Sequence, residues 1–288
     1  MKKLLFIILT LFIFSGCTNT YEDDSKLTVY TSFYGMYDFT KTIAGERATV
    51  INLLPAGADA HSWEPGTHDI IGLNNADLFI YNGMGLEHWA EDIIKSLDNK
   101  DIIILEASNG ITPLKEQASD PHVWLNPQNA IKELYNICES LCLKDSKNAE
   151  YYRSNFKNVK GKIEALDSDF NAQIATLPKK EIIVTHGAFS YLCDAYGFTQ
   201  YEIEGISGES DPSSATVREV IDYMKKNNKK AIFNIKSQSP KLAEVISKET
   251  GASIFYLNPF ESDIDGKTYI DVMAENMNSI KEAFLINE

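Results

Sequence analysis

Between residues 146 and 177 the apolar side chains recur in steps of three and four without a break: Ala149, Tyr152, Phe156, Val159, Ile163, Leu166, Phe170, Ile174 and Leu177. That period marks one face of an α-helix. Asp145 or Ser146 offers a cap and Pro178 a stop, so the spacing predicts a single helix over 146–177. At 1.5 Å per residue it would run roughly 48 Å, and only Gly161 interrupts its helical character. Such a helix could serve as a coiled-coil arm, but its apolar stripe is wide. It suits a spine lying across two bodies.

On either side of this segment, short β-branched runs alternate with helical stretches. Strands are predicted at 27–30, 49–53, 78–81 and 102–105, with helices at 34–43, 67–74, 87–97 and 127–143. After the spine the alternation resumes: strands at 181–185, 200–203, 230–234 and 253–256, helices at 189–196, 214–227, 240–250 and 267–286. Such alternation is the signature of βαβ units on a mostly parallel sheet. The predicted fold class is therefore α/β: two Rossmann-like lobes, 26–145 and 178–288, joined by the long helix over 146–177.

The first residues stand apart. Lys2 and Lys3 precede an apolar run from Leu4 to Phe14 broken only by Thr10. Eleven residues fall short of the roughly 20 that span a bilayer, but they suit the core of a secretory signal over 1–16. The run ends in Phe14, Ser15, Gly16 and Cys17, which resembles a bacterial lipobox and makes Cys17 the expected site of lipidation. Residues 18–25 (TNTYEDDS) are polar and aperiodic, so 17–25 read as a lipid-anchored tether. Without Lys2 and Lys3 the chain carries 25 basic against 41 acidic residues. That balance argues against nucleic acid as a partner and suits a protein that handles cations.

Four cysteines in 288 residues exclude a disulfide-built fold. Cys138, Cys142 and Cys193 sit in apolar-patterned stretches and read as small buried hydrophobes. Of the five histidines, His68 and His88 fall in predicted helices among polar neighbours and read as solvated. The other three follow strands, where open α/β sheets place their ligands. His61 lies in P-A-G-A-D-A-H-S-W-E-P (55–65), His122 in D-P-H-V-W-L-N-P (120–127), and His186 directly after the apolar strand at 182–185. Prolines and glycines stiffen the first two loops, as a preorganised ligand requires.

Together these three motifs resemble those of the zinc- and manganese-binding solute-receptor lipoproteins of ABC importers. The stretches N-G-M-G-L-E (82–87) and I-E-G-I-S-G-E (203–209) look like further segments of that family. Ala60 stands where the family commonly has proline, and Ser62-Trp63 where Tyr or Phe precedes Glu-Pro; neither removes a ligand. The resemblance implies metal held in the cleft between the lobes by His61, His122, His186 and a carboxylate. For the fourth ligand it implies Glu261 in zinc-type members. In manganese-type members it implies a pair of carboxylates, from the region of Glu209 and from the late aspartates between Asp263 and Asp271.

Three imidazoles and one carboxylate favour Zn2+ as the transported ligand, with Mn2+ (or iron) the alternative. Zinc-type relatives often carry a histidine-rich loop before the second motif, but residues 109–119 contain no histidine. The implied partners are an ABC permease with its ATPase subunit, and the membrane through the lipid on Cys17. The receptor itself is expected to be a monomer outside the cytoplasm. Two other classes compete: a secreted zinc hydrolase, with Glu204 or Glu209 as base, and a surface adhesin in which the metal is structural. No H-E-x-x-H, G-x-S-x-G or P-loop supports the hydrolase.

Overall fold

The structure is a computed structural model and describes residues 26–114, 120–175, 177, 181–206, 212–263 and 265–286. Two four-stranded parallel sheets organise it. The first contains β1 (Leu27–Thr31), β2 (Ala48–Asn52), β3 (Leu78–Tyr81) and β4 (Ile103–Glu106) in the order β2-β1-β3-β4. Its strands are connected through α1 (Tyr34–Ala44), α2 (Thr67–Asn74) and α3 (Ala90–Ser96). The second contains β5 (Glu181–His186), β6 (Thr199–Glu204), β7 (Ala231–Ile235) and β8 (Ser253–Leu257) in the order β6-β5-β7-β8. Its helices are α6 (Ser190–Tyr196), α7 (Ser214–Lys226), α8 (Lys241–Thr250) and the C-terminal α9 (Tyr269–Ile286). Between the sheets run α4 (Pro127–Lys144) and α5 (Ala149–Ile174).

Both sheets thus reverse their winding between the first and third strand of the lobe, and every pairing is parallel. A doubly wound sheet opens a crevice at that reversal, outside the carboxyl ends of its strands. Helices cover the faces, so strands such as Leu78–Tyr81 and Ala231–Ile235 are mainly apolar and buried over almost their whole length.

The long periodic segment forms a helix shorter than its pattern. Residues Ser146–Asn148 make a 3-10 turn, and α5 covers 26 residues, about 39 Å. Neither predicted cap acts as one. The Asp145 carboxylate instead accepts from the Tyr152 hydroxyl and the Asn148 amide, both at 2.7 Å, which consumes it before the helix begins. Buried Tyr152, Val159, Ile163, Phe170 and Ile174 form the stripe. Through it α5 packs on α1 and α4 from the first half and on α9 from the second. By contrast, α4 starts as expected, with Pro127 in its first turn and the Asn126 side chain accepting from Gln128 N.

The helix expected from Glu87 begins only at Ala90. Glu87 is diverted: its carboxylate accepts from Ser32 Oγ and from the backbone N–H groups of Asn82 and Gly83, tying the turn after β3 to the loop after β1. His88 therefore lies in a turn rather than a helix, and pairs with Glu64 at 2.8 Å.

The two halves share one core, sealed by the segment between β8 and α9. Phe260 is inserted into the first half, with ring centroids 5.3 Å from Tyr34, 6.4 Å from Phe39 and 5.6 Å from Tyr269. Its left-handed backbone (φ 64°) is stabilised where Asn258 Oδ1 accepts from Phe260 N. Trp124 Nε1 donates to Pro259 O at 2.7 Å, and Tyr269 donates through its hydroxyl to Trp124 O and through its N–H to Asp38.

Gly161 sits exposed in α5 with open space where a Cβ would stand. Gly161→Ala should stabilise the protein by roughly 0.5–1 kcal/mol through the lost unfolded-state freedom. Urea unfolding checks this, the gain appearing as a higher midpoint at constant m.

Candidate metal centre

Three loops and the end of one strand converge where the two sheets present their carboxyl ends. His61 lies between β2 and α2. Its loop is folded on Asp59, whose Oδ1 accepts from the N–H of His61 and of Ser62, and is anchored by Trp63 edge-on to Trp89. His122 follows β4, just before the 3-10 turn Val123–Leu125 that buries Trp124. Pro121 O accepts from the Asn82 side chain, so the turn diverted by Glu87 supports the His122 loop from beneath. His186 ends β5 in the middle of its sheet. Glu261 follows Phe260, and its carbonyl accepts from Tyr34 N at the start of α1.

These residues meet. The donor atoms of His61, His122, His186 and Glu261 all lie within 4.8 Å of one another. Glu261 Oε1 is 3.1 Å from His61 Nε2 and 2.7 Å from His122 Nε2. The His186 ring centre is 5.7 Å from that of His61 and 5.5 Å from that of His122. Four tetrahedral ligands at about 2.1 Å from a metal stand about 3.4 Å apart, so a small contraction would close the set around an ion. His122 and His186 are buried, while His61 and Glu261 keep edges in solvent.

Electrostatics prepare the donors unequally. Burial alone would depress His122, but hydrogen bonds to Asp120 and Glu261 outweigh it and raise its pKa to about 9. Burial would likewise raise Glu261, yet hydrogen bonds from His122 and His61 hold it well below the usual carboxylate range. His186 has lost to burial what its neighbours do not return: its pKa falls to about 4, and its Nδ1 is buried with no partner. The site therefore holds a carboxylate, a cationic His122 and a neutral His186, with a proton where a cation could replace it.

Asp120 is the functional residue the sequence pattern did not single out. Its Oδ1 accepts from His122 Nδ1 at 2.7 Å and from His122 N at 3.0 Å. That bond fixes the ring and its tautomer and turns Nε2 toward the centre, as an outer carboxylate does for a metal-bound imidazole. The signal was present: an acid two residues before the histidine, across a proline.

Of the other expected acids, Asp263 accepts from Gly266 N and Asp271 from Thr268 at the start of α9, so neither joins the cluster. Glu209 and Cys17 lie outside the described residues, as do the signal and tether segments. His68 is exposed, as expected.

Residues 29–283 match the family described as zinc-uptake complex component A, periplasmic. The high-affinity zinc uptake system protein ZnuA of Bacillus subtilis is 34% identical, over 98% of this chain and 97% of that protein. The zinc-binding lipoprotein AdcA of Streptococcus pneumoniae is 32% identical over 98% of this chain, which spans only 61% of AdcA. Among solved structures, the Zn(II)-bound ZnuA-like domain of AdcA superposes with a TM-score of 0.82 at 33% identity, covering 90% of this chain and 99% of the domain. The laminin-binding protein Lmb of Streptococcus agalactiae, described as having adhesin and metal transporting activity, gives a TM-score of 0.83 at 34% identity, covering 90% and 100%.

Two outcomes follow from the donors' protonation. Because His122 keeps its proton below about 9 and a bound cation must expel it, zinc affinity should rise with pH toward 9, whereas His186 adds no dependence above about 4. Calorimetry at pH 8 in buffers of different ionisation heat should show proton release. Asp120→Asn should weaken zinc roughly 10–100-fold while leaving the fold intact, read by competition with a chelating dye and by circular dichroism.

Proposed function

The chain belongs to the family of zinc-uptake complex component A, periplasmic, and on that premise we propose how it works: it captures Zn2+ outside the cytoplasm and hands it to the permease of an ABC importer. One observation carries this reading. Donors from both lobes, three imidazoles and one carboxylate, converge on one point without a thiolate. We assign His61, His122, His186 and Glu261 as the zinc ligands. Imidazole-rich sets suit zinc, whereas manganese favours sites richer in carboxylate oxygen. Manganese with Glu209 as ligand is the alternative reading.

His61 and Glu261, the two donors that keep an edge in solvent, stand at the mouth, so zinc meets them first and then His122 and His186 beneath. Four protein ligands close a tetrahedron and leave no position for an activated water. The protein acts as a receptor and not as an enzyme. That closure speaks against the hydrolase reading; of its two candidate bases, Glu204 is a residue of β6 outside the cluster and Glu209 lies outside the described residues.

Zinc draws ligands from both lobes and so favours one cleft arrangement. The Phe260 insertion and the Trp124–Pro259 bond keep the halves in contact, and release requires movement of the His61 loop more than opening of the lobes. The division into a signal (1–16), a lipidated tether (17–25), two lobes (26–145 and 178–288) and a linking helix (146–177) is part of the same proposal. The lipid on Cys17 would hold the monomeric receptor beside its permease and ATPase, raising effective concentration without new contacts. Among the described residues no helix is long and apolar enough to cross a membrane.

A side-by-side titration with Zn2+ and Mn2+ tests the assignment. Zinc should be preferred, and Glu261→Ala should cost more than the ~10–100-fold typical of an outer partner. Preference for manganese with Glu261→Ala silent would transfer the site to Glu209 and the late aspartates. Small-angle scattering should show only slight compaction when zinc is added; a large one would contradict the sealed interface.

A further inference from the structure

At the far end of α4 from the histidines, a second group of donors converges. Cys138 and Cys142 stand one helical turn apart, and their sulfurs and a Glu139 carboxylate oxygen lie within 4.8 Å of one another. Both thiols are free and buried, Cys138 1% and Cys142 7% exposed. Cys142 Sγ donates to Ala149 O at the start of α5, at 3.6 Å. Glu139 lies on the solvent side, its Oε1 accepting from Nε and its Oε2 from Nη2 of Arg153 on α5, each at 3.3 Å. Burial pushes the Cys138 thiol up to about 12 and raises that of Cys142, so both stay protonated at neutral pH.

Two adjacent free thiols outside the cytoplasm would ordinarily oxidise to a disulfide. Here α4 opposes it. Residues four apart on a helix keep their Cβ atoms about 5–6 Å apart, whereas a disulfide needs about 3.5–4.5 Å. Bridging would distort α4 where α5 packs on it. A metal between the sulfurs demands far less movement than a disulfide, because two bonds of about 2.3 Å span up to about 4.6 Å and the sulfurs already lie within 4.8 Å. Protonated thiols hold oxygen-seeking cations poorly. Soft cations gain enough from sulfur to displace the protons.

We propose that Cys138 and Cys142, with Glu139 at the entrance, form a second cation site on this protein, selective for soft, thiophilic ions and separate from the histidine centre. Binding forms two metal–sulfur bonds and releases two thiol protons, with no electron transferred. It is independent of the zinc assignment, since none of its residues touches the histidines.

The test uses the full chain carrying Cys17→Ser, loaded with one equivalent of zinc and titrated with Cd2+. The readouts are the ultraviolet sulfur-to-cadmium charge-transfer band and proton release. The band should saturate at about one Cd2+ per chain, persist in Cys193→Ser, and vanish in Cys138→Ser and Cys142→Ser. Circular dichroism and zinc binding should be unchanged in those variants. If a serine variant misfolds, Cys138→Ala and Cys142→Ala replace it. Absence of the band, its survival in the Cys138→Ser/Cys142→Ser double variant, or its loss in Cys193→Ser would overturn the proposal. So would an intact mass lacking two hydrogens before treatment, which would reveal a Cys138–Cys142 disulfide.

Discussion

A carboxylate set among imidazoles is the constraint on which this structure turns. Glu261 belongs to the second half of the chain, yet its hydrogen-bonded partners His61 and His122 belong to the first. Holding it there demands a bridge between the halves, and the residues just before it supply one. Asn258 braces the turn, Pro259 accepts from Trp124, and Phe260 fills a pocket made by the first half. Asn276 completes the brace: its side chain accepts from Asn258 N and donates to Asn258 O, so α9 holds the turn from behind. The core and the site are in this sense one construction.

The charge pattern explains why a buried acid is tolerated. An isolated carboxylate in such a place would be forced to protonate. Two imidazole partners reverse that tendency, and Asp120 in turn shares the charge placed on His122. Removing one member of such a buried group leaves its partners uncompensated, which costs far more than the group's net contribution. The same arrangement favours exchange of a proton for a cation, because the charges are already balanced for a positive occupant. His186 contributes differently, as a desolvated neutral base whose unpartnered nitrogen is ready to bind.

Much of this was legible in the sequence because burial imposes periodicity. The β-branched runs became the eight strands of the two sheets, the three strand-following histidines converged, and the long stripe became the helix that packs on both halves. Glu261 was reached through family resemblance; the acidic string around it looks uniform until Phe260 fixes which acid points inward. What stayed hidden were side chains whose partners lie far along the chain. Glu87 looks like the first residue of a helix, but Ser32, 55 positions earlier, draws it away. Nearer in sequence, Asp145 looks like a cap but is spent on Tyr152, seven positions later. The cysteines of α4, by contrast, read as small buried hydrophobes, and they are buried and free.

The most direct test is X-ray absorption at the zinc edge on the chain loaded with one equivalent of zinc. Four light-atom neighbours at about 2.0–2.1 Å are expected, with outer-shell scattering typical of three imidazoles and no sulfur. Glu261→Ala should alter the light-atom shell while the three imidazole signatures remain. A sulfur shell, a six-coordinate oxygen-rich shell, or a spectrum unchanged by Glu261→Ala would contradict a zinc site built from three histidines and Glu261.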